Sequence, residues 1–406
     1  MGVNAAEIAS SPAPPRRLRN LEIAMIGTRG VPAAYGGFET AVEEVGKRLV
    51  ERGHRVTVYT RGSEHRAPEH LGMHIVHLPA LRQKQLETLS HTGLSAMHAA
   101  TRKAPDAAFV FNAANSPFVP LLRARGIPVA LHMDGLEWER SKWGKRGRAY
   151  YRWAEEFGVR SADALIADAP GIAEYYTTEF GVDTELIRYG APILEEAPTE
   201  GVTHLGLEPG AYHLVVARFE PENHVLEIVE GYRASDARAP LVVVGSAPYS
   251  AEYTQRIHAA ADGDPRIHML GGVFDQELLD ALYFHARTYV HGHSVGGTNP
   301  SLLRAMGAGT AVLAWDVNFN RETLGGLGWY FADAREATAQ FERLENDGSR
   351  LSECSDAVQL RAREQFRWDD VASAYEHLGT RLAAGVSLHR GARRLRRKSS
   401  SAETRR

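Results

Sequence analysis

The chain has 406 residues, 44% of them hydrophobic and 24% charged, with a net charge of −3, an ordinary globular composition at a length that suggests two domains. A single cysteine, Cys354, excludes an internal disulfide and fits a reducing, cytoplasmic setting. No apolar run approaches the roughly 20 residues that a membrane-spanning helix needs.

Residues 1–19 lack the apolar core of a signal peptide and are expected to form a disordered leader. Strand-like runs follow at Glu22–Ile26, Arg55–Thr60, Ile75–Leu78, Ala107–Phe111, Ile127–His132 and Ala164–Ala167. Between the first two, Phe38, Val42, Val45 and Leu49 recur at helical spacing and define one apolar helix face. A second series repeats the theme at His213–Ala217, Leu241–Val244, Ile267–Leu270, Thr288–His291, Ala311–Ala314 and Trp329–Phe331. Strands alternating with helices predict an α/β fold of parallel sheets covered on both faces. Two such series predict two doubly wound Rossmann-like domains facing one another across a cleft. The Pro-, Gly- and acid-rich stretch Tyr189–Thr203 marks the seam. The expected divisions are 20–190, 191–370, a terminal helix over 371–389 and a disordered basic tail over 390–406.

Ligands of open parallel sheets bind beyond the carboxyl ends of the strands, so the segments that follow strands carry the chemistry. The first is Ile26–Thr40, IGTRGVPAAYGGFET, a glycine-rich loop that leads into a helix at Gly36–Gly37. Its glycines are too widely spaced for a dinucleotide fingerprint, and no Gly-Lys-Ser/Thr follows. A glycine pair at a helix start suits a phosphate.

The second is Leu131–Trp143, LHMDGLEWERSKW, where His132 and Asp134 follow a strand and Glu137, Trp138 and Lys142 lie beyond. Titratable groups beside tryptophans suit a sugar acceptor or a general base. The third is Val215–His224, VVARFEPENH, where Arg218 leaves a strand and Asn223 precedes a helix. The arginine fork matches phosphate oxygens.

The fourth, His291–Gly309, reads HGHSVGGTNPSLLRAMGAG. Gly296 and Gly297 allow close backbone approach, Thr298 follows, Asn299 is an N-cap and Pro300 the first helical residue. Such a turn aims backbone N–H groups and a positive helix end at an anion, most often phosphate. Asp262-Gly263-Asp264 has metal-motif spacing but reads as a turn, and His291 and His293 lack a third ligand at zinc-like spacing. No metal and no resident cofactor are expected. Arg390–Arg406 carries eight Lys/Arg and one Glu, a tail suited to anionic lipid or nucleic acid, or to a solvated end.

Together the four segments resemble the retaining GT-B glycosyltransferases of family four over about Leu21–Leu378, and within them a bacterial rhamnosyltransferase subgroup. The resemblance implies a nucleotide-diphosphate sugar as co-substrate, held by the second domain, with the acceptor on the first. It implies that Arg218 binds the diphosphate and that Asn223, a neutral donor, stands where the family has a lysine. Gly36 and Gly37 match the first-domain loop that approaches the same diphosphate. It further implies that Gly296 and Arg304 occupy the two glutamate positions of the family's Glu-x7-Glu motif. The second of those glutamates commonly grips ribose hydroxyls, so Arg304 points to a deoxyribose nucleotide such as dTDP, and the subgroup points to dTDP-rhamnose. The implied mechanism is metal-independent transfer with His132, Asp134 and Arg218 at the centre, and His132 or Asp134 placing the acceptor hydroxyl. Subgroup acceptors are glycans or polyprenyl-linked glycans, which implies cell-surface polysaccharide synthesis at the inner membrane face and no nucleic-acid partner. The segment Trp368–Leu382 resembles the family's last helix, which crosses back onto the first domain. The competing readings are a sugar-nucleotide epimerase and a non-catalytic nucleotide-sugar-binding protein.

Overall fold

Short apolar runs such as Ala107–Phe111 and Leu241–Val244 are buried along their whole length, the signature of parallel strands covered by helices on both faces. The computed structural model describes residues 20–33, 37–62, 67–81, 83, 86–102, 104–133, 135–140, 143–246 and 251–387. The first sheet contains β1 (Glu22–Ile26), β2 (Arg55–Arg61), β3 (Glu69–His70), β4 (Met73–Leu78), β5 (Ala107–Phe111), β6 (Val129–Met133), β7 (Ala164–Ala167) and β8 (Glu185–Leu186). Their order is β3-β4-β2-β1-β5-β6-β7-β8, parallel except for the β3–β4 pair. The second sheet contains β9 (His213–Val216), β10 (Leu241–Val244), β11 (Ile267–Gly271), β12 (Thr288–His291), β13 (Ala311–Trp315) and β14 (Trp329–Phe331). Its order, β11-β10-β9-β12-β13-β14, is parallel throughout. The expected doubly wound α/β architecture is thus present twice.

Two strands were not expected, β3 and β8. Each is two residues long, too short for any alternation of polarity to register. Ile127 also lies outside β6, because Pro128 follows it and has no N–H for the ladder.

The helix Gly37–Glu51 buries Val42, Val45 and Leu49, as its spacing requires, with Phe38 half-buried at its start. The terminal helix Trp368–Ala383 buries Val371, Tyr375 and Leu378. It packs on the first half of the molecule: the Tyr375 ring meets Phe109 of β5 edge-on at 4.9 Å. Arg48 and Arg52 of the Gly37–Glu51 helix pair with Asp369 (2.9 Å) and Glu376 (2.8 Å).

In each sheet the winding reverses beside the first strand, between β1 and β5 and between β9 and β12. At such a reversal the flanking loops diverge and leave a crevice at the strands' carboxyl ends. The loops after β1, β5, β9 and β12 flank these crevices, and those after β6, β7, β10 and β11 complete the lining. The leader 1–19 and the tail 390–406 lie outside the described residues.

Candidate functional site

The two crevices open into one cleft of about 690 Å³, lined from the first half by Arg29, Gly37 and Glu137 and from the second by Arg218, His291 and Asn299. The halves touch at its floor. A Cβ on Gly37 would lie 2.8 Å from the Pro300 ring, and one on Gly135 would lie 3.2 Å from the Gly296 backbone.

On the second half, β9 ends at Val216 and the exposed Arg218 projects from the following loop into the cleft. The loop is braced by Asn223, whose Nδ2 donates to the Arg218 carbonyl at 2.8 Å. Asn223 Oδ1 in turn receives a hydrogen bond from the His293 ring at 2.8 Å. The amide expected to donate to phosphate is therefore engaged on both sides within the protein.

After β12 the chain passes His291 and Gly292, where a Cβ would collide with the Asn223 carbonyl at 2.1 Å. Gly296 adopts φ +127°, a conformation natural to glycine alone. Thr298 Oγ1 then donates across the cleft to the Asp168 carbonyl at 3.1 Å. Asn299 caps the helix Pro300–Gly307, its Oδ1 accepting from the Ser301 N–H at 2.9 Å and the Ser301 hydroxyl at 2.7 Å. Leu302, Leu303 and Met306 are buried, so the helix is fixed with its N-terminus, the electropositive end of its dipole, toward the cleft. Arg304, on the opposite side, lines the cleft and is pinned to Asp280 of the helix Gln276–Phe284 at 2.5 Å.

On the first half, Glu39 Oε1 accepts from the Arg29 N–H at 2.9 Å and holds the loop after β1. Glu137 is buried, lines the cleft and pairs with Arg140 at 2.5 Å. Trp138 lies under the Arg152 guanidinium, 4.1 Å from the ring centre. Gly36, Asp134 and Lys142 lie outside the described residues.

His132 is 3% exposed at the end of β6 and is not among the cleft-lining residues. Its ring stacks on Phe111 at 5.7 Å and meets Phe38 edge-on at 5.1 Å. Burial lowers its pKa to about 3, and that of His291 equally to about 3. Unfolded, both take up a proton below about pH 6.5; folded, they remain neutral to about 3. Their stabilisation is therefore complete above pH 6.5 and is lost as the pH falls toward 3. Each is expected to contribute a slope of about 1.4 kcal/mol per pH unit between pH 6 and 4. Guanidinium unfolding of His132→Leu across that range should show a slope shallower by about this amount. An unchanged slope would mean that His132 titrates in the folded protein.

Sequence reasoning missed Arg29, Glu39, Arg140, Asp168 and Phe274 and weighed His293 only as a metal ligand. Arg29, Glu39 and Arg140 sit inside segments already singled out. Phe274, 79% exposed at the cleft beyond β11, was open to the same rule that selects segments following strands. Asp168 becomes relevant only through its contact with Thr298 in the other half. Among the described residues no group of three or more His, Cys, Asp or Glu could hold a metal. Asp264 pairs with Arg266 at 2.7 Å beside Gly263 at φ +78°, a turn. No described helix is long and apolar enough to cross a membrane.

Residues 36–190 match the family model of the glycosyl transferase 4-like domain, and residues 211–347 match that of the glycosyl transferases group 1. Among solved structures, a sucrose-phosphate synthase from Thermosynechococcus elongatus superposes with a TM-score of 0.78 at 21% identity, over 89% of this chain and 99% of its own. HepE from Anabaena, in complex with UDP-glucose, superposes with a TM-score of 0.72 at 15% identity, over 89% and 100%. A glycosyltransferase from Rickettsia africae gives 0.69 at 12% identity, over 90% and 100%. No match was found among curated proteins.

Proposed function

We propose that this chain, a glycosyltransferase of the GT-B fold, moves a sugar with retention of configuration from a dTDP-linked donor, rhamnose being the favoured sugar, to a glycan or polyprenyl-linked glycan acceptor. The observation that carries the proposal is the convergence of Arg218 and the capped turn Gly296–Asn299 on one cleft, opposite Gly37. Two sources of positive potential aimed at one space suit a diphosphate.

In this reading the bond from the anomeric carbon to the diphosphate oxygen breaks as the acceptor oxygen bonds to that carbon. The acceptor proton passes to the departing phosphate. Charge grows on the leaving group, and Arg218 with the N–H groups of the turn stabilises it without rearranging. No resident metal is assigned a role. Glu137, Trp138 and Lys142 belong to the acceptor side with His132 and Asp134. Of the latter two, His132 is enclosed by aromatic rings, stays neutral and does not line the cleft, which argues against it as the group that places the acceptor hydroxyl.

The nucleotide assignment rests on Arg304. A guanidinium tied to Asp280 stands where a carboxylate would grip ribose hydroxyls, and a deoxyribose nucleotide loses least from that exchange. HepE was captured with UDP-glucose, so UDP is the competitor to test. Calorimetric titration of dTDP against UDP should show tighter dTDP binding, and a mass-spectrometric panel of sugar esters should then identify the transferred sugar. Clearly tighter UDP binding would reject the dTDP assignment. Acceptors of the lipid-linked class would place the enzyme at the inner membrane face, with residues 390–406 against anionic headgroups.

A further inference from the structure

His293 is 7% exposed, lies just past the end of β12 and lines the cleft. Its Nδ1 is 2.8 Å from Asn223 Oδ1, while Asn223 Nδ2 donates to the Arg218 carbonyl. An amide oxygen only accepts, so His293 Nδ1 carries the proton and Nε2 is left with the lone pair. The backbone is held as well, since Asn320 Nδ2 donates to the His293 carbonyl at 2.9 Å.

Nε2 is directed toward Gly296. A Cβ built on that glycine would lie 3.3 Å from Nε2 and 3.6 Å from Arg140 Nη2, with no third atom of the described residues within 4 Å. Gly296 thus leaves open a space bounded by one ring acceptor and one guanidinium donor, the first from the second half and the other from the first half. Burial, then the cations Arg140 and Arg218 with His291 and His224 nearby, keep the ring far below the usual histidine pKa. Nε2 therefore stays an acceptor at neutral pH. It is suited to a hydroxyl and poorly suited to a phosphate oxygen, which would face its lone pair.

The orientation of a bound donor follows from the cleft. Gly245, Ser246 and Phe274 line it beyond β10 and β11, offering an aromatic face to a base. Arg218 and the Gly297–Asn299 turn take the diphosphate, and the remaining space at Gly296 receives the sugar.

We infer that His293 accepts, at Nε2, a hydrogen bond from a hydroxyl of the donor sugar, with Arg140 donating to a second oxygen of the same sugar and Asn223 acting as the positioning residue. The inference rests on the reading of this cleft as a nucleotide-diphosphate sugar site. It adds the element that tells a sugar ester from the bare nucleotide.

The test compares dTDP and UDP with dTDP-rhamnose and UDP-glucose by calorimetry on the full chain, with thermal melting of every variant. His293→Leu is expected to weaken the tighter-binding sugar ester roughly five- to tenfold, and the matching free diphosphate less than about twofold. His293→Gln, whose amide oxygen reaches the position of Nε2, should restore ester binding to within about threefold. Asn223→Ala should show a smaller loss of the same ester-selective kind. Equal losses for ester and diphosphate, or no loss for either, would overturn the inference while leaving the donor site standing. Failure of the unaltered protein to bind any of the four ligands would overturn the donor-site reading, and this inference with it.

Discussion

Arg218→Ala is expected to lower turnover by about two to three orders of magnitude, the range seen when a single preorganised donor is removed from a developing oxyanion. Arg218 is exposed and projects from a loop whose backbone is held by Asn223 rather than by its own side chain. The fold should therefore tolerate the change, with stability altered by no more than about 0.5 kcal/mol. Arg218→Lys should recover only part of the rate, because a point charge replaces a planar fork that engages two oxygens at once. Single-turnover rates at saturating donor, read beside melting curves, separate the two effects. A rate within about threefold of the unaltered enzyme would remove the diphosphate from this end of the cleft.

Gly297→Ala tests the other side of the same site. The Gly297 backbone needs no unusual φ, so the effect of a methyl group there is steric. Its Cβ would lie 2.3 Å from Asp168 Oδ1 and 2.7 Å from Ile172 Cδ1, both belonging to the first half of the chain. Asp168 also receives the Thr298 hydroxyl through its carbonyl, so the loop cannot recede freely. Both contacted side chains are buried, so the methyl must displace them or move the turn by up to about an ångström, and a displacement of the turn by that much costs up to about 100-fold in a reaction that depends on alignment. We expect turnover to fall roughly 10- to 100-fold while the melting temperature moves by only a few degrees, the shift that about 1 kcal/mol produces at this size. Retained turnover would show that catalysis does not need the close approach of Gly297 to Asp168.

Much of the site was legible because its parts are local. Asn299, Pro300 and the apolar stripe of Leu302, Leu303 and Met306 announce a capped helix within eight residues, and the structure builds that helix. Twelve of the strands were visible as apolar runs, whereas β3 and β8 were too short to leave a pattern. The rest depends on partners distant in the chain. Arg304 looks like a surface arginine until Asp280 is found beside it. His132 looks like a free titratable group until Phe38 and Phe111 close around it. His293 acquires a defined tautomer only through Asn223, 70 residues earlier.

The sequence by itself determined the two doubly wound sheets, the strand ends that border the cleft and the glycine-rich turn that leads into a capped helix. These follow from periodicity, capping and glycine placement, which act over a few residues. Tertiary structure alone decided which side chains face the cleft, which are buried neutral, and that Gly296 opens a space shared by His293 and Arg140. Burial and hydrogen-bond partnership are set by contacts between segments far apart in the chain. No local pattern records those contacts.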